Sequence, residues 1–157
     1  MARHVRITFL GKGQRTRDRP GYVPATYDFG GGHVEDARMF GLALLRHLRR
    51  TLAKPVDVLL LVGTPGSDWD MPYDELKLTA EGADDHAAAF DETVALSAAA
   101  SEDRTTAADV LPIERRVGHA LGLECRCCVI DYGYDAREQL LRGNPPPLAS
   151  VAQPATS

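Results

Sequence analysis

The chain is predicted to be one α/β domain of Rossmann-like type, a mainly parallel sheet with flanking helices and an edge β-strand or hairpin. Three observations predict it. A segment of strand-like alternation, His4-Val5-Arg6-Ile7-Thr8-Phe9-Leu10, opens the chain. A long helical pattern follows. Then comes Val56-Asp57-Val58-Leu59-Leu60-Leu61-Val62, an almost continuous apolar run such as a parallel strand covered by helices on both faces displays. Strand, helix, strand in that order implies a right-handed βαβ crossover.

The elements follow in order. Gly11-Lys12-Gly13 ends the first strand, and a polar, Arg-rich loop runs to Gly21. Tyr22 to Phe29 has the aromatic and β-branched content of a second strand, and Pro24 places it at an edge or makes it antiparallel. Gly30-Gly31-Gly32 breaks it. From Val34 or Glu35 to Leu52 the residues Met39, Phe40, Leu42, Leu45, Leu48 and Leu52 recur at helical spacing, with Glu35 and Asp36 in the first turn and Arg46, Arg49 and Arg50 near the last. After the Val56–Val62 strand, Gly63 to Glu81 is a loop with a short turn at Tyr73 to Leu78. Two Ala-rich segments, 83–99 and 105–121, are predicted helices, the second kinked or divided by Pro112 and stopped by Gly122. Leu123 to Ile130 is the third core strand. Asp131-Tyr132-Gly133-Tyr134 leaves it, and Asp135 to Arg142 forms a short helix capped by its Asp. Residues 1–143 make the domain; 144–157, with Pro145, Pro146, Pro147 and Pro154, are a disordered, Pro-rich tail.

Composition sets the function classes. At 157 residues and 44% hydrophobic content there is material for one core. The longest apolar run, Val58 to Val62, is far short of the roughly 18 residues that suggest a membrane span, so a cytoplasmic protein is expected. Net charge is −4, but residues 1–54 carry 11 Lys and Arg against 4 Asp and Glu, while the remainder is strongly acidic. The basic first third suits a small anionic partner, or else its arginines simply solvate loops and helix faces; the acidic remainder excludes a long nucleic acid duplex. Cys125, Cys127 and Cys128 lack a second ligand pair at zinc spacing and read as small strand hydrophobes. No metal and no cofactor are expected.

In an open parallel sheet, ligands bind beyond the carboxyl ends of the strands, which directs attention to the loops after Leu10, Val62 and Ile130. Gly11 and Gly13 allow backbone N–H groups to approach a phosphate, and Lys12 adds charge. Arg15, Arg17 and Arg19 add bidentate contacts or are solvated. Gly63-Thr64-Pro65-Gly66-Ser67-Asp68-Trp69-Asp70 offers hydroxyls and glycines for phosphate or ribose. Trp69 either stacks on a base or packs onto the core, and Asp68 and Asp70 cap the loop or receive a ribose hydroxyl. Tyr132 and Gly133 complete the candidate set. His33, between the Gly run and a helix start, is the one histidine near this site; His47, His86 and His119 lie in predicted helices without partners.

Ile7-Thr8-Phe9-Leu10-Gly11-Lys12-Gly13, Tyr22-Val23-Pro24-Ala25-Thr26-Tyr27-Asp28-Phe29, Glu35-Asp36-Ala37-Arg38-Met39-Phe40, Val62-Gly63-Thr64-Pro65-Gly66-Ser67-Asp68-Trp69-Asp70 and Ile130-Asp131-Tyr132-Gly133 followed by Glu138-Gln139 resemble, in order, the amino-terminal half of the CRISPR-associated Rossmann-fold (CARF) family. The likeness spans residues 4–142. It implies a homodimer binding a cyclic oligoadenylate, usually cyclic tetra-adenylate, across its two-fold axis in type III CRISPR antiviral signalling. It also implies ligand contacts from 11–13 and 63–69. The Asp-x-Thr-His-Gly stretch and the HEPN ribonuclease domain of related proteins are missing, which leaves a stand-alone sensor, a ring nuclease that destroys the messenger, or a shortened piece of a larger effector. As a metal-independent ring nuclease the chain would use Lys12 to stabilise charge and Thr64 and Ser67 to orient the scissile phosphate. Outside this family, the same loops suit an ordinary mononucleotide-binding domain or a protein-interaction module.

Overall fold

A computed structural model describes residues 2–130. The predicted helix at 135–142, the 144–157 tail, and Tyr132 and Gly133 of the candidate set lie outside the described residues. The elements are β1 (Val5–Phe9), β2 (Ala25–Asp28), β3 (Val34–Ala37), α1 (Phe40–Thr51), β4 (Val58–Gly63), α2 (Met71–Glu75), α3 (His86–Ser101), α4 (Leu111–Leu121) and β5 (Glu124–Val129). Strands β1, β4 and β5 form a parallel sheet in the order β1-β4-β5, and β2 and β3 form a separate antiparallel hairpin. The α/β, Rossmann-like class read from the sequence is the observed one.

Register decides which side chains make the core. In a parallel sheet paired residues share a face, and the pairs Val5↔Val58, Ile7↔Leu60 and Phe9↔Val62 therefore point one way, while Thr8↔Leu61 points the other. Leu59, Leu61 and Cys125 of this second face, with Leu10, join Leu42 and Leu45 of α1, Ile113 and Val117 of α4, and Trp69 and Tyr73 in a single hydrophobic cluster. That cluster takes no side chain from the first face. Val5, Ile7 and Phe9 are 55%, 50% and 79% exposed. On that same face Val58 and Val62 of β4 are buried, at 8% and 7% exposed, so the apolar run of β4 is buried on both faces as expected and the exposed row belongs to the edge strand β1.

Two expectations are corrected. Residues 34–37 are a strand and not the first turn of α1, because Gly30, Gly31 and Gly32 all adopt positive φ (79°, 59° and 80°) and turn the chain back on itself. Phe29 N–H donates to His33 O at 2.9 Å, closing the hairpin, and Thr26 Oγ1 donates to Asp36 at 2.6 Å across it. Pro112 does not divide a helix; it stands in the first turn of α4, where its missing N–H costs nothing. Gly122, at φ 63°, ends α4 as expected. Among the described residues no helix is long and apolar enough to cross a membrane. No group of three or more His, Cys, Asp and Glu is placed there to hold a metal.

Candidate functional site: a cationic groove at the carboxyl end of β1

The loops after β1 and β4 meet, as the parallel topology requires. Leu10 N–H donates to Val62 O at 2.7 Å, Asp68 N–H to Gly11 O at 2.9 Å, and Gly13 N–H to the Asp68 carboxylate at 2.7 Å. Ser67 Oγ donates to Leu10 O at 2.8 Å and accepts the Thr64 N–H at 2.9 Å. These bonds turn the second loop inward. From Pro65 to Asp70 every residue is buried, and Thr105 N–H reaches Pro65 O from a distant segment.

The sequence-derived candidates separate accordingly. Gly11 and Lys12 are exposed, Gly13 and Thr64 are half-buried, and all four remain accessible. Gly63, Pro65, Gly66, Ser67 and Trp69 are buried and serve the loop itself. A Cβ on Gly63 would lie 2.8 Å from the Trp69 ring, so this glycine is there for close packing, whereas one on Gly66 would clash only with the terminal carboxylate oxygen of Asp103, at 2.0 Å. Trp69 is fully buried and its indole N–H donates to Thr64 O at 2.8 Å. It packs onto the core and offers no face to a base. Ser67, 4% exposed with its proton committed to Leu10, is not placed to orient a scissile phosphate, and Thr64 Oγ1 lies 3.1 Å from Ser67 Oγ. The Gly13 N–H, assigned to a phosphate, is taken by Asp68.

The two loop carboxylates hold the loops together. Asp68, 3% exposed, also lies 3.3 Å from the Arg15 guanidinium and 3.9 Å from Lys12 Nζ. Asp70 accepts the Tyr22 hydroxyl at 2.6 Å and Arg15 at 3.2 Å, and Arg15 in turn stacks over the Tyr22 ring at 4.6 Å. Burial first, and then the bond to Asp70, push the Tyr22 phenol far above its ordinary value, so it stays a neutral donor. Arg15 is therefore a structural cation.

What remains open is a groove of about 530 Å³ between β1, the β2–β3 hairpin and the start of α1. Arg6, Lys12 and Arg38 supply its positive charge, and Thr8, Gly11 and Gly41 are also among its walls. Arg38 Nε is paired with Asp74 at 3.1 Å, and Lys12, 66% exposed, is held only loosely by Asp68. Arg6, Thr8, Arg38 and Gly41 were not among the sequence candidates. His33, which was singled out, lies elsewhere: its Nδ1 is 2.8 Å from Nδ1 of His47, and both line a different cavity with Phe29 and Arg50.

No family model, curated protein or solved structure matches this chain.

Proposed function

We propose that the chain binds a cyclic oligoadenylate, of the tetra-adenylate type, as a homodimer, and does so without cleaving it. One observation carries this reading. The Gly11-Lys12-Gly13 turn and the start of α1 converge, with Arg6 and Arg38, on one groove that runs along β1 to its carboxyl end, where an open α/β sheet takes its ligands. Its cations favour a phosphate, and its volume suits one nucleotide unit rather than a duplex. The ordered resemblance to CARF domains supports the identity of that nucleotide. Sensing is preferred to cleavage because Ser67 is buried and hydrogen-bonded within its own loop.

Incubation with cyclic tetra-adenylate, followed by chromatography of retained ligand and linear products, tests the reading. Retention without products is expected, and Lys12→Ala should weaken it by about tenfold, the scale of one lost charge-assisted contact. Linear products would replace the sensor reading by the ring-nuclease one. No retention at micromolar concentration would overturn both.

A further inference from the structure

The groove contains a feature that the glycine turn does not explain. Met39, at the N-cap of α1, supplies no side-chain acceptor, and the first turn of this 12-residue helix has no acidic residue. Glu75 accepts the N–H groups of Arg38 and Met39 at 2.5 and 3.2 Å and is itself paired with Arg46 at 2.6 Å. The N–H groups of Phe40 and Gly41 have no acceptor among the described residues. The positive end of the helix dipole is thus only partly satisfied.

Two side chains independently point to a ligand there. Thr8, paired with β4 through its backbone, is only 5% exposed and lines the groove, and its hydroxyl makes no hydrogen bond among the described residues. Arg6 also lines it, and its Nε is buried without a partner. A buried polar atom without a partner costs free energy, more so on a cation such as Arg6, and an incoming anion removes that cost and gives the Thr8 hydroxyl an acceptor. Gly41 completes the arrangement, since a Cβ there would lie 2.1 Å from Thr8 Oγ1; only glycine lets the helix begin so close to β1.

We infer that Arg6, the Thr8 hydroxyl and the Phe40 and Gly41 amides form a phosphate subsite. Guanidinium, hydroxyl and two amides are all donors, and the group they match is a tetrahedral oxyanion. The subsite deepens the nucleotide reading and rests on it for the rest of the ligand, while the phosphate chemistry rests on these residues alone.

Isothermal titration of the full chain with orthophosphate, AMP and cyclic tetra-adenylate tests it. Thr8→Val and Arg6→Gln are each expected to weaken all three by about tenfold, whereas Arg17→Gln, which removes an exposed charge outside the groove, leaves them unchanged. Thr8→Ser restores the hydroxyl and should restore affinity, separating loss of the donor from loss of the fold. If cyclic tetra-adenylate binds and neither Thr8→Val nor Arg6→Gln weakens it, the subsite is overturned and the oligoadenylate reading stands. Orthophosphate and AMP bound through Arg6 and Thr8, with no cyclic tetra-adenylate bound, would overturn that reading and keep the subsite. Binding of none of the three overturns both.

Discussion

Ser67 occupies the position where a phosphate-binding hydroxyl would be sought, yet its oxygen bridges two backbone groups of neighbouring loops, the Leu10 carbonyl and the Thr64 amide. Ser67→Ala would leave the buried Leu10 carbonyl and the half-buried Thr64 amide without that partner. The expected cost is about 1–3 kcal/mol, read as a lower midpoint in urea unfolding, with ligand affinity falling far less than in Lys12→Ala. Unchanged stability with a large loss of affinity would return Ser67 to the ligand. Lys12 was legible in the sequence because a turn directly after a strand is bound to reach the surface at the sheet's carboxyl edge. The burial of 65–70 was not, because the segment that covers Pro65 comes from Thr105, far along the chain. Arg6 and Thr8 were not legible: they alternate with Val5, Ile7 and Phe9 and so read as the solvent face of a strand, and only the packing of α1 against their own row turns them inward.

Elements were legible in proportion to how locally their signals act. Leu42 and Leu45 of α1 and the apolar run of β4 are set by periodicity, and both appear as expected. A hairpin was among the expectations, but its second strand, β3, was not, because Glu35 and Asp36 suit the first turn of a helix as well as they suit a strand. Their observed partners, Arg46 for Glu35 and Thr26 for Asp36, are fixed only by tertiary packing. The helical layer is tied by a polar network of the same non-local kind. Glu92 on α3 accepts the Tyr73 hydroxyl of α2 at 2.7 Å and two bonds from Arg116 of α4, at 2.5 and 2.9 Å. The Arg116 bonds above all, opposed by burial and helped by Tyr73, hold the Glu92 carboxyl below its ordinary value. A carboxyl lowered in the folded state contributes stability that is complete above its unfolded value and is lost as pH falls through the folded one. Glu92→Gln is therefore expected to be less stable than the wild type at neutral pH, with the difference shrinking on acidification below about 4.5. Urea unfolding at a series of pH values measures it, and parallel acid limbs would remove Glu92 from the linkage.

At the scale of the whole molecule, the central strand β4 is buried on both faces while the first-face row of the edge strand β1 is not. Sheets of this kind are ordinarily covered on both sides, since their strands carry apolar residues in both directions. Here the cluster built on Leu59 and Leu61 holds α1 and α4, whereas the Val5, Ile7 and Phe9 row stands half or more exposed. The sequence could report that β4 is apolar on both sides but not that the β1 row beside it would stand exposed, because that depends on which side each connecting helix packs. The inequality has an energetic consequence. Leu61→Ala removes a fully buried side chain from the cluster and is expected to cost about 2–5 kcal/mol. Ile7→Ala, one strand away on the exposed row, has little buried area to lose and should cost less than about 1 kcal/mol. Urea midpoints of the two variants, taken at low protein concentration and again at a tenfold higher one, give the comparison directly. A large and concentration-independent loss for Ile7→Ala would mean that the chain itself lays a covering layer over this row. A loss that grows with concentration would mean that association of copies covers it. The uneven pair of costs, the same at both concentrations, is what a buried central strand beside a half-exposed edge strand requires.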